Sequence, residues 1–217
     1  ALLIYGWIEI LIFASGALLS LLFANFSGIY SSLHSFIPES VPLQNAIKML
    51  FAFGMMLIPT TLMGATLPII SKYCVTDDSR MGTQVSLLYA LNTLGAAAGC
   101  LLTGFFLMGT FGVLQTVLLA AGANLLIGIS ALSIYLEIAP GADWKFRLPP
   151  LRMPRIDLNA DQKFWMSISF ICGFTALAYE VLWTRLLVFS IASTVYSFSM
   201  MLTVFLLGIF LGSLLLI

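Results

Sequence analysis

Four polar side chains stand inside otherwise apolar stretches of this 217-residue chain: Glu9 in "YGWIEILIF", Asn92 in "ALNTLGAAAG", and Glu180 and Arg185 in "GFTALAYEVLWTRLL", residues 173–187. A carboxylate surrounded by hydrocarbon costs at least a few kcal/mol unless a donor, a proton or a cation neutralises it. The chemistry open to such groups is therefore cation or proton binding, or hydrogen bonding between helices. Tyr5 lies one helical turn before Glu9 and offers a hydroxyl. The plainer reading of Glu9 is a hydrogen-bonded or protonated packing residue, and the sharper one is a cation or proton site. Asn92 is a further polar candidate, either structural or ligand-binding.

Glu180 and Arg185 look like an ion pair, but helical geometry separates them. Five residues along a helix turn a side chain through about 140° and advance it about 7.5 Å. The spacing misses the i,i+4 register of intrahelical pairs. Glu180 shares a face with Gly173, Ala176 and Thr184, a narrow face suited to a neighbouring helix. It is expected to take a donor from that helix. Arg185 is expected at the interface, where its stem can snorkel.

Other chemistries find little support. The only histidine, His34, falls in a polar loop, so no His-activated nucleophile is visible. Cys74, Cys100 and Cys172 are three and dispersed, which suits neither a disulfide framework nor a zinc site. No cofactor is expected. The nine basic residues form no basic face, and no nucleic-acid partner is expected.

The elements that must hold these groups are membrane helices. The chain is 61% hydrophobic and 8% charged, with a mean hydropathy of +1.08. Soluble domains are nearer half apolar and about a quarter charged. Spanning takes about 20 apolar residues. Six runs qualify, near 1–25, 44–70, 83–108, 112–138, 164–189 and 194–217. None alternates as a membrane β-barrel strand would. The fold class expected is an all-α polytopic membrane protein of six transmembrane helices. Its partners are the lipid bilayer and other membrane helices or subunits. Counting back from Asn25 puts Glu9 about 24 Å from that end of its span.

Lys72 and Arg80 lie in the loop 71–82, and Lys145, Arg147, Arg152, Arg155 and Lys163 in the segment 139–163. Both fall on one face of the membrane, which the positive-inside rule makes cytoplasmic. That layout suits a bacterial inner (plasma) membrane. The outer loop "FSGIYSSLHSFIPESVP" alternates apolar and polar residues and is expected to lie on the interface. The adjoining Asn25-Phe26-Ser27 sequon is tight against a span and a poor glycosylation acceptor. Pro149, Pro150 and Pro154 favour an extended linker over 139–163. Its basic residues, with Trp144 and Phe146, suit an anionic leaflet. It divides the chain into a four-helix part, 1–138, and a two-helix part, 164–217. Both ends fall inside apolar runs, and no signal-peptide layout is present, so the chain is expected to be part of a longer one.

Two further patterns bear on packing. Gly95 and Gly99, and Gly208 and Gly212, form GxxxG stripes that permit close helix approach. Pro59, Gly64 and Pro68 in "IPTTLMGATLP" are expected to kink the second span, as in broken helices that build transporter sites.

The stretch "CGFTALAYEVLWTRLLVFSIASTVYSFSMMLTVFLLGIFLGS", 172–213, resembles the signature of fused major-facilitator/spermidine-synthase membrane proteins. "MGATLPIISKY" (63–73), "LYALNTLGAAAGCLLTGFFLMGTFG" (88–112), "ANLLIGISAL" (123–132) and "YGWIEI" (5–10) fit the same family. The resemblance covers nearly the whole chain, least clearly the two long loops. It implies part of a major-facilitator-like bundle: the third to sixth helices of one half and the first two of the next. In that family a soluble Rossmann-like domain after the membrane part would transfer an aminopropyl group from decarboxylated S-adenosylmethionine to putrescine. This chain has no G-x-G-x-x-G run and no soluble acidic pair for a diamine, so no catalytic residue carries over. The functional expectation is a membrane module, anchor or scaffold, of a spermidine-synthase-like protein. The alternatives are an accessory subunit of a larger membrane complex and a transporter of a polyamine or other small cation.

Overall fold

A computed structural model describes residues 1–25, 28, 40–75, 81–138 and 158–215. His34, the sequon beyond Asn25, Arg80 and the basic linker residues Lys145, Arg147, Arg152 and Arg155 lie outside the described residues, as do Trp144, Phe146 and the linker prolines. The described residues are all-α: α1 (Leu2–Ala24), α2 (Val41–Cys74), α3 (Met81–Leu102), a π-helical turn (Thr103–Leu107), α4 (Met108–Ile138), α5 (Ala160–Ile191) and α6 (Thr194–Leu214). No sheet is present among them.

Five helices are long and apolar enough to cross a membrane, with α3, the π turn and α4 forming one of them, Met81–Ile138, 58 residues long. The six expected runs all fall on these helices, the third and fourth within that single long one. A straight helix of that length would measure about 87 Å, against a hydrocarbon core of about 30 Å. It is interrupted at Gly112, whose φ of 75° and ψ of 175° suit glycine alone.

Local chemistry explains the other boundaries. α2 stays helical across Pro59 and Pro68 and is not broken there. The Thr60 hydroxyl donates to the Met56 carbonyl (2.8 Å) and the Thr61 hydroxyl to the Leu57 carbonyl (2.6 Å), supplying polar contacts beside Pro59. α5 begins at Ala160, before the apolar run, because Asn159 caps it and its N–H donates to Gln162 Oε1 at 3.0 Å. Ala192 takes a left-handed conformation (φ 56°), its N–H donates to the Val188 carbonyl, and Ser193 caps α6. The α5–α6 hairpin is thus closed by two residues.

The chain forms two compact units, Ala1–Val85 with Thr110–Asp143, and Ser86–Gly109 with Trp144–Ile217. In the first, α1 buries Leu2, Gly6, Glu9 and Ile12, spaced four, three and three apart along one stripe. α4 buries Thr116, Ala121, Gly128 and Ala131, small residues that permit close approach. In the second, α6 packs against both α5 and the π turn. Ser197 and Met201 lie on one side of α6, with Ser199 and Thr203 about 200° around it. All four are buried, whereas α5 buries no residue and its Phe189 is 87% exposed.

Among the described residues, the expected GxxxG stripes are not where helices meet. A Cβ added at Gly95, Gly99, Gly208 or Gly212 would meet nothing within 4 Å. Close approach occurs instead at Gly6, Gly128 and Gly104.

Candidate functional site

Glu9 is the most buried charged-type side chain described, at 5% exposure. Its position follows from α1: the stripe of Leu2, Gly6 and Ile12 that turns inward includes residue 9. Tyr5, one turn earlier, shares the face of α1 that carries Glu9. Glycine makes the seat. A Cβ on Gly128 would lie 2.9 Å from the Gly6 carbonyl oxygen and 3.2 Å from Glu9 Cβ. A Cβ on Gly6 would lie 3.1 Å from the Gly128 carbonyl oxygen. The two backbones therefore touch beside Glu9 Cβ, and any larger residue would force them apart.

Tyr5 also lines a groove of about 430 Å³ at the end of the unit where the basic loops attach. Tyr73 and Cys74 of α2 and Ser130 of α4 share that groove. A second groove, about 570 Å³, lies toward the other end, between Gly16 and Phe23 of α1, Met56 and Thr60 of α2, and Val117 of α4. Between the two grooves the packing is dense: Ile12 is 2% exposed, Ala121 is buried, and a Cβ on Gly16 would sit 3.8 Å from that of Ala121. The arrangement is a buried Glu9 at a waist, with Tyr5, one turn away, lining one groove.

The other three candidates lie in the second unit. Glu180 is half-buried, on the least exposed stripe of α5 with Ala176, Thr184 and Leu187. Its backbone carbonyl accepts the Thr184 hydroxyl at 2.9 Å. Arg185 and Asn92 are exposed. Among the described residues, none of these three side chains bonds or pairs with another. No group of three or more His, Cys, Asp or Glu side chains converges among the described residues.

The sequence reading missed Gly6, Gly128, Tyr73 and Ser130. Gly6 had a signal, since it precedes Glu9 by three residues and so shares its face. Gly128, Tyr73 and Ser130 come from distant segments, and nothing local marks them. It also missed the π turn, where Gly104 packs directly on Ser199. There the Ser199 carbonyl accepts the Cys100 thiol (3.5 Å) and the Thr203 hydroxyl (2.6 Å), and Phe105 stacks on Tyr196 at 5.3 Å.

Compared with known proteins, the chain matches no protein-family model, no curated protein and no solved structure.

Proposed function

We propose that this chain is a membrane-embedded module of a spermidine-synthase-like protein, an anchor or scaffold that performs no catalysis itself. The observation that carries this reading is the motif run of residues 172–213. It coincides with the α5–α6 hairpin, where the hydroxyls of Ser197, Ser199 and Thr203 are buried and α5 leaves its apolar surface uncovered. Phe170, Phe174 and Phe189 are all exposed there. A hairpin of that kind is covered by lipid or by further helices, as expected of part of a major-facilitator-like bundle.

The module crosses the membrane six times, with the Gly112 interruption dividing Met81–Ile138 into two crossings. The loops 71–82 and 139–163 face the cytoplasm of a bacterial inner membrane, because they hold most of the Lys and Arg. The coding sequence beyond Ile217 tests the reading. Further spans followed by a nucleotide-binding domain are expected; neither, in the native gene, would overturn it.

A further inference from the structure

We propose that Glu9 is a proton-binding site of the membrane bundle, loaded and emptied through the Tyr5 hydroxyl from the groove at the basic-loop end and closed toward the other end.

A buried carboxylate inside a span requires a neutralising partner. The groups on every element packed around Glu9 do not provide a fixed cation. On α1 the titratable neighbour is Tyr5. On α2, Lys72, Tyr73 and Cys74 sit at the basic-loop end, level with Leu2, about 10 Å along the axis from Glu9. Lys48 lies near the opposite end of α2. On α4, Gly128 touches Glu9, and Tyr135 and Glu137 follow about 10 Å or more toward the basic-loop end. A proton is the cation that fits, because among the described residues no group of three or more His, Cys, Asp or Glu side chains gathers to ligate a larger one.

The route is one-sided. Tyr5 stands one helical turn from Glu9 on the same face of α1 and lines the basic-loop groove, which is wide enough for a chain of water molecules. Toward the other groove, Ile12 and Ala121 fill the space and Gly16 packs against Ala121. In the loading step, a hydronium ion in the groove gives a proton to the Tyr5 oxygen and is left as water, while the Tyr5 hydroxyl proton passes to the Glu9 carboxylate. The Tyr5 O–H bond that breaks is replaced by the one that forms, and Glu9 becomes neutral. Release runs the same steps backward.

Infrared difference spectroscopy on the full chain in lipid nanodiscs, wild type against Glu9→Gln, tests this. The wild type is expected to show a protonated-carboxyl C=O band at neutral pH that Glu9→Gln removes. Transfer to heavy water shifts that band, and Tyr5→Phe slows the shift at least about tenfold by removing the relay. In sealed vesicles, a pH step on the basic-loop side changes the band and a step on the other side does not. Loss of an ionised-carboxylate signal in Glu9→Gln would overturn the proposal. So would an unchanged exchange rate in Tyr5→Phe, or a response from the opposite side. Glu9→Gln, the neutral isostere, is expected to fold and melt as the wild type does; failure to assemble would show that the charge is required and contradict it.

Discussion

Glycine, more than any charged residue, decides what Glu9 can do. Its seat depends on two backbones in contact at Gly6 and Gly128, where an added Cβ on Gly128 would meet a carbonyl oxygen at 2.9 Å. Backbone cannot swing aside as a flexible side chain does, so α1 and α4 must separate. Gly128→Ala is expected to destabilise by about 1–3 kcal/mol, the usual cost of overpacking, read as a lower melting temperature in detergent. Glu180 and Arg185 present the opposite case. They project about 140° apart on one unbroken helix, and one is half-buried while the other is exposed. A double-mutant cycle of Glu180→Gln and Arg185→Gln should be additive within about 0.5 kcal/mol. A larger coupling would mean that the two meet. Glu9 and Tyr5 were legible in the sequence, because one turn of a regular helix separates them. The rest of their surroundings was not, since Gly128, Tyr73 and Ser130 reach them only through tertiary packing.

At the scale of elements, the positions of all the long helices could be read from hydropathy, because a spanning segment must satisfy its own backbone and announces itself by length. Contacts between helices could not. GxxxG spacing marked Gly95, Gly99, Gly208 and Gly212, whose faces are open, whereas the tight packing falls at solitary glycines. The π turn at Thr103–Leu107 was equally hidden, since one extra residue in a turn leaves no mark on hydropathy. That turn puts Gly104 directly against the Ser199 side chain. Gly104→Ala is therefore expected to lower thermal stability, and Ser199→Gly in the same chain to restore part of the loss by removing the atoms a methyl would strike. A double variant no more stable than Gly104→Ala would show that the close approach is not what confines residue 104 to glycine. Proline taught a related lesson: α2 passes through Pro59 and Pro68 without a break.

For the whole molecule, the apolar surface and the basic loops give a topology that can be tested with its own cysteines. Cys74 is exposed at the end of α2, within the basic segment 71–82, and Cys172 is exposed on the apolar flank of α5. A membrane-impermeant maleimide is expected to label Cys74 from the cytoplasmic side only, and to leave Cys172 unlabelled within lipid. Labelling of Cys74 from outside would invert the orientation. Under the proposed function, these helices are a membrane module whose chemistry lies in another part of the same protein. The most direct measurement is aminopropyl transfer from decarboxylated S-adenosylmethionine to putrescine, by membranes containing the protein encoded by the complete gene and by membranes containing residues 1–217 alone. Transfer by the first and none by the second is the predicted result. No transfer by the complete protein, or transfer by residues 1–217, would contradict it.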